Sequence, residues 1–205
     1  MAASITHIVL TQKIFDQHFS DKNRREFFVG TVLPDIRYLG KIDRGITHFT
    51  DLKLDEIKKE NSFTAGLKFH SLLDVTREKF IVESGVYEWY PDMKYITRSL
   101  KLFEDEILYA RVGDWPKYIK YLDEIVGGEL ALGLDESVVG RWHQMLKDYW
   151  VKPPDNKSQE IFMAAMGFSP EVIVVNNSEA DILRGDERVM SLVGSLYDSF
   201  DSLIG

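Results

Sequence analysis

The chain has 205 residues, of which 44% are hydrophobic and 28% charged, a composition typical of an ordinary folded domain. Its net charge is −8 with no basic cluster, so nucleic acid is not an expected partner. No apolar run approaches the roughly 20 residues of a membrane span, and the first residues lack a secretion-signal pattern. We therefore expect a cytoplasmic protein with no integral membrane segment. The absence of cysteine excludes disulfides, thiol catalysis and thiolate metal sites.

Hydrophobic periodicity predicts helices along most of the first half of the chain. One helix is expected over 4–18, a short one from 20 to Gly30, and a long one over 62–84 ended by Gly85. Between them, 34–50 contains Pro34 and two glycines and is expected to be irregular, while the polar stretch 51–60 is expected to be a lid or a connector.

The second half also has helical periodicity. The expected helices are 91–111, 115–126, 136–151, 157–166, 170–183 and 186–204. Only 171–175 resembles a strand, and since one strand makes no sheet, we interpret it as the start of a helix. The sequence thus predicts an all-α, single-domain bundle of eight or nine helices over 1–205. Residues 1–84 would carry a metal site and 85–205 would be a helical remainder.

Two residues on the predicted long helix are the strongest candidates for metal ligands. His70 and Asp74 are four positions apart, so both side chains leave the same face of the helix. That face is also apolar, and a buried histidine beside a buried carboxylate is costly unless a cation or another partner completes the pair. One nitrogen and one carboxylate oxygen are ligands that zinc, iron and manganese accept.

Three further residues have the same character. Asp35 and His48 lie at the two ends of the irregular segment, and His7 is flanked by isoleucines. Each alone is more often a hydrogen-bonded core or capping residue. Together they indicate a metal site, with the candidate ligands His7, Asp35, His48, His70 and Asp74. The remaining histidines, His18 and His143, belong to no comparable group and are interpreted as structural residues.

Four segments carry these residues in a recognisable order: THIVL at 6–10, FVGTVLPDI at 28–36, THF at 47–49 and GLKFHSLLD at 66–74. They resemble the zinc-dependent phospholipase C family and its uncharacterised bacterial relatives. The resemblance covers about the first 80 positions and implies an all-helical, phospholipase C-like fold around a cluster of zinc ions.

The resemblance also implies roles for individual residues. Asp35, His48, His70 and Asp74 would form the central metal site, and His7 would bind a neighbouring ion that Asp74 bridges. One or two Zn²⁺ or other divalent transition-metal ions would activate water for hydrolysis. Asp35 would be the catalytic base or the residue that orients the water. The expected substrate is a small phosphoester or a phospholipid headgroup. Arg37, Lys41 and Arg44 lie in the same loop and could meet its phosphate, but they are equally well explained as ordinary surface charges.

The chain also departs from this family. The secreted enzymes use an N-terminal tryptophan as a ligand, whereas this chain starts at Met1, six positions before His7. A third metal needs a later His-x-x-x-Glu, but Lys147 follows His143 at the fourth position. The acidic run 104–106 could supply a carboxylate but is typical of a solvated face.

The sequence bears on two alternative functions. The missing ligands favour a non-catalytic helical binding protein with a residual structural metal site. An HD-type phosphohydrolase needs an adjacent His-Asp pair, which this sequence lacks.

Overall fold

The structure is a computed structural model that describes residues 4–40 and 42–205, so Met1 and Lys41 lie outside it. Within these ranges the chain forms α-helices and 3-10 helices and no strand, which confirms the all-α prediction. The α-helices are α1 (Ser4–His18), α2 (Arg24–Val32), α3 (Arg44–Thr47), α4 (Leu54–Ile57), α5 (Ser62–Glu83), α6 (Ile96–Leu108), α7 (Trp115–Tyr121), α8 (Gly127–Ala131), α9 (Glu136–Trp150), α10 (Asn156–Ala165), α11 (Pro170–Arg184) and α12 (Glu187–Leu203). The 3-10 helices are Leu33–Leu39, Val86–Trp89 and Tyr109–Arg111.

The twelve α-helices of the described chain exceed the predicted eight or nine. The extra ones are short: α3 forms in the segment expected to be irregular, α4 forms in the segment expected to be a lid or a connector, and α8 begins at Gly127, directly after the helix expected over 115–126. Several bounds were also wrong, and α7 ends at Tyr121 instead of 126. Helix α2 continues through Gly30, and α6 begins at Ile96 because residues 90–95 form a turn whose Tyr95 amide donates to Glu179 of α11.

Helices α2 and α5 form the most closely packed pair, and their N-termini lie side by side. Asn23 and Asn61 cap their first turns, and the Asn23 amide donates to the Ser62 hydroxyl at 2.8 Å. Further along, Gly30 and Gly66 bring the two backbones into contact. A Cβ at Gly66 would lie 2.0 Å from the Phe27 carbonyl oxygen, and one at Gly30 would lie 2.3 Å from that of Phe63. Only glycine allows this approach.

The rest of the chain encloses this pair. Helix α1 packs against α2, α6 and α12, while α6 packs against α11 and α12. The main hydrophobic core includes residues from α1 and α2 as well as from α9, α10 and α12. A smaller cluster lies at the far end of α5, around Ile81, Phe103 and Leu183. None of the described helices is long and apolar enough to cross a membrane.

The acidic run on α6 is not the solvated face that its composition suggested. Glu104 is fully buried and accepts a hydrogen bond from the Arg77 guanidinium, with 3.1 Å between Nε and Oε1. Asp105 is fully buried and accepts from both the amide and the hydroxyl of Thr6, at 2.7 and 2.8 Å. Their partners lie on α5 and α1, far away in sequence, so these two acids join helices and do not reach the candidate metal ligands.

Candidate metal centre

The five candidate ligands come from four segments of the chain and meet beside α5. Helix α1 supplies His7, the 3-10 helix Leu33–Leu39 supplies Asp35, and His48 follows α3 directly. His70 and Asp74 are one turn apart on α5. His7, Asp35 and His70 are buried, with exposures of 2%, 5% and 0%.

Two overlapping groups have the spacing of metal ligands. In one, His7, His70 and Asp74 each offer a ligand atom, and these atoms lie within 4.8 Å of one another. In the other, the same holds for Asp35, His48 and His70. The His70 ring is common to both: it stacks on His7 at 4.2 Å between centroids and meets His48 edge-on at 5.0 Å. The structure therefore brings all five residues into one cluster around His70.

The orientation of His70 follows from the α2–α5 contact. Its Nδ1 lies 2.9 Å from the carbonyl oxygen of Thr31, near the end of α2. In a 3-10 turn that carbonyl would accept a hydrogen bond from the amide of residue 34, but Pro34 has no amide hydrogen. Since a carbonyl oxygen only accepts, Nδ1 must carry the proton, which leaves the lone pair of a neutral ring on Nε2. That Nε2 is buried and has no hydrogen-bond partner.

His48 is held by two contacts. Its Nδ1 lies 3.0 Å from the hydroxyl of the buried Thr47. The next residue, Phe49, donates its amide to the Ser71 hydroxyl at 3.0 Å, which fixes this loop to α5. His48 Nε2, like that of His70, is buried with no hydrogen-bond partner. Two ring nitrogens of the cluster are thus buried without a hydrogen-bond partner among the described residues.

Asp74 presents one oxygen to each of two histidines. Its Oδ1 is 3.4 Å from His7 Nε2, and its Oδ2 is 3.5 Å from His70 Nε2. Bonds of about 2.0–2.1 Å to a tetrahedral zinc separate neighbouring ligand atoms by about 3.3–3.4 Å. The two distances are close to that value, so each oxygen of Asp74 would be able to share a cation with the histidine beside it.

Four of the candidate ligands, His48, His70, Asp35 and Asp74, have the protonation states that metal binding requires at neutral pH. Burial lowers the pKa of His48 and of His70 to about 4, so both rings are neutral. Burial alone would raise the pKa of Asp74, but the adjacent His70 and His7 rings outweigh it and hold the pKa well below its usual range. Burial alone would also raise the pKa of Asp35, but His70 and His7 contribute to an opposing effect that lowers it overall.

A cleft of about 300 Å³ leads from the surface to this cluster. His48 and Asp74 form part of its wall, together with Ser71 of α5 and Arg44 of α3. Arg37 lies on another side of the cluster, with Nη2 4.0 Å from Asp35 Oδ1. Two of the three cations expected near a phosphate are thus placed beside the candidate ligands, while Lys41 lies outside the described residues.

The other histidines have different surroundings. His143 is buried, with Nδ1 3.1 Å from the Leu122 carbonyl oxygen and Nε2 2.8 Å from Glu129 Oε1, so it joins α8 to α9. His18 lies at the end of α1 and belongs to neither ligand group.

Sequence reasoning missed two supporting residues. Ser71 holds the loop after His48, and Asp105 holds Thr6, next to His7; burial raises the pKa of Asp105 to about 7. Their roles depend on contacts between distant segments, and no local pattern marks either residue.

Comparisons of the chain with models of known protein families, with curated proteins and with solved structures found no match. The resemblance to the zinc-dependent phospholipase C family therefore depends on the four short segments alone.

Proposed function

We propose that this chain is a metal-dependent hydrolase, a phosphoesterase that resembles the zinc-dependent phospholipase C family. One observation carries the proposal: the buried Nε2 atoms of His48 and His70, without hydrogen-bond partners, lie beside the ionised carboxylates of Asp35 and Asp74. Leaving two such nitrogens unsatisfied in a buried site is costly, and a divalent cation satisfies both of them and also balances the carboxylates.

The residues present fit one or two cations. Asp35, His48, His70 and one oxygen of Asp74 would hold the first, because His70 has a single lone pair to give. His7 and the other oxygen of Asp74 would hold a second. Zn²⁺ accepts this mixture of imidazole and carboxylate ligands, as do other divalent transition metals. Bound there, the cation would lower the pKa of a water molecule and polarise a phosphoryl oxygen.

The chain's own residues supply the remaining functions. Asp35 is ionised at neutral pH, and the carboxylate oxygen that it does not give to the cation would orient water or take up its proton. Arg44, at the wall of the cleft, would meet a phosphate oxygen. The cleft volume of about 300 Å³ suits a small phosphoester or a phospholipid headgroup. A cytoplasmic location is part of the same proposal, and there a soluble phosphoester would serve as well as a phospholipid headgroup.

Hydrolysis of bis(p-nitrophenyl) phosphate by the zinc-loaded chain tests this proposal. We expect zinc-dependent turnover that falls at least a hundredfold in Asp35→Asn and in His70→Gln. His18→Gln, which alters a histidine outside the cluster, should retain it. If the protein binds zinc but hydrolyses neither this diester nor p-nitrophenyl phosphate, the hydrolase proposal is wrong. The metal would then be structural, and the chain would be a helical binding protein.

A further inference from the structure

The first turn of α1 is held by a buried acid that comes from α6. Thr6, the residue before His7, donates both its amide and its hydroxyl to Asp105 Oδ1, at 2.7 and 2.8 Å. Amides in the first turn of a helix have no acceptor within that helix, so a buried first turn needs an acceptor from elsewhere. Thr6 and Asp105 are 1% and 0% exposed. Asp105 therefore supplies this acceptor from a position 99 residues away in the sequence.

The position of His7 depends on this turn. Its ring stacks on His70 with 4.2 Å between centroids and 8° between planes, and its Nε2 lies 3.4 Å from Asp74 Oδ1. The later turns of α1 are tied by the helix's own hydrogen bonds and by its buried apolar residues. Loss of the Asp105 contact would therefore loosen the first turn, with His7 in it, and leave the rest of α1 in the core.

The other four candidate ligands do not depend on α1 or α6. His70 and Asp74 belong to α5, and Asp35 lies in the 3-10 helix that follows α2 directly. The loop after His48 is fixed to α5 through the amide of Phe49. These four ligands thus form a unit built on the α2–α5 pair, and His7 reaches that unit from a separate helix.

We propose that Asp105 is a positioning residue that decides whether the metal centre holds one cation or two. This inference rests on the proposed function and deepens it. With the first turn of α1 held, His7 and one oxygen of Asp74 would bind a second cation. Without Asp105, only the cation held by the α2–α5 unit would remain. Contacts that orient a ligand from outside the coordination sphere typically change metal affinity by about 10- to 100-fold.

Zinc titration of the full-length, chelator-treated protein in a calorimeter tests this inference. We expect two equivalents per wild-type chain and one in Asp105→Leu, which removes the acceptor with little change in size. Asp105→Asn keeps an acceptor oxygen for Thr6 and should retain the second equivalent, a rescue that a space-filling role would not show. Thr6→Val loses only the hydroxyl bond and should lower the affinity for the second zinc about tenfold. If Asp105→Leu does not fold, an unchanged affinity in Thr6→Val would overturn the inference.

Glu104→Gln is the matched control. Glu104 is the adjacent buried acid on α6, but its partner is Arg77 of α5 and not the first turn of α1. Its substitution also removes a buried contact of α6 and should leave both zinc equivalents in place.

A second measurement needs no metal. In long-range ¹H–¹⁵N spectra of the chelator-treated protein, the imidazole signals of His7 should move in Asp105→Leu, because the ring leaves its stack on His70. The signals of His143, which joins α8 to α9, should not move. Glu104→Gln should leave the His7 signals at their wild-type positions.

The outcomes separate this inference from the proposed function. If the wild type takes up no zinc and the His7 signals move in Asp105→Leu alone, Asp105 positions His7 but the metal-dependent function is removed. Two zinc equivalents in both the wild type and Asp105→Leu would overturn the inference and leave the function standing. A single equivalent in the wild type would do the same. Equal zinc losses in Asp105→Leu and Glu104→Gln would show general destabilisation and would also overturn it.

Discussion

Replacing Gly66 with alanine tests whether the contact between α2 and α5 sets the geometry of the metal centre. The new Cβ would lie 2.0 Å from the Phe27 carbonyl oxygen and 3.0 Å from the Thr31 amide nitrogen. A carbon and an oxygen normally approach no closer than about 3.3 Å, so the helices must separate by about 1 Å. Both close atoms belong to the backbone and cannot rotate away.

This separation has two expected consequences. Overpacking of this kind costs about 3 kcal/mol of unfolding free energy. The bond from His70 Nδ1 to the Thr31 carbonyl, now 2.9 Å, would lengthen to about 4 Å and cease to be a hydrogen bond. Because that bond orients the ring, the affinity for zinc should fall by roughly 10- to 100-fold.

Urea denaturation of the chelator-treated protein measures the first effect, and competition with a fluorescent zinc chelator measures the second. Gly140→Ala is the control, since Gly140 lies in α9 and its new Cβ would meet nothing within 4 Å. That variant should be about 0.5–1 kcal/mol more stable and bind zinc as the wild type does. If Gly66→Ala matched the wild type in both assays, the close contact would not be the support that the structure indicates.

Two further predictions concern stability. The metal-free protein should become less stable as the pH falls from about 6.5 to about 4, because burial lowers the folded-state pKa of His48 and His70 to about 4 and the unfolded chain takes up these protons first. His70 contributes up to about 3 kcal/mol of this loss. In His70→Gln the urea midpoint should therefore depend less steeply on pH than in the wild type. An equally steep dependence would contradict the assignment. Glu104→Gln should lower the free energy of unfolding by about 3 kcal/mol, because it leaves Arg77 buried without its main partner. Glu83→Gln, which alters an exposed ion pair, should not move the urea midpoint. Equal midpoints for the two variants would refute the role of the buried pair.

The helices that the sequence predicted best have a continuous apolar pattern and clear end signals. Helix α1 spans Ser4–His18 as expected, and α5 ends next to Gly85, whose φ of 72° requires glycine. The errors occurred where a tertiary contact decided the outcome. Gly30 was predicted to end a helix, but its lack of a side chain serves the contact with α5. Short helices such as α3 have too few residues to show a period.

The candidate ligands could be selected from sequence because histidines and a carboxylate among apolar residues are unusual. Their meeting in one cluster agrees with that selection, and metal binding itself stays a prediction. The support of the His48 loop by Ser71 could not be foreseen, since the two lie far apart in sequence and only the packing of α5 brings them together. The burial of Glu104 was missed for the same reason, because its partner Arg77 lies on another helix.

The metal content of the wild-type protein tests the central claim most directly. The protein is prepared without nickel affinity resin, dialysed against zinc and then against buffer, and analysed by plasma mass spectrometry beside His70→Ala and Asp74→Ala. We predict one to two equivalents of zinc per wild-type chain, lost in both variants together with the rise in melting temperature that the bound metal confers. A wild-type chain that retains no metal, or variants that retain as much as the wild type, would contradict the account.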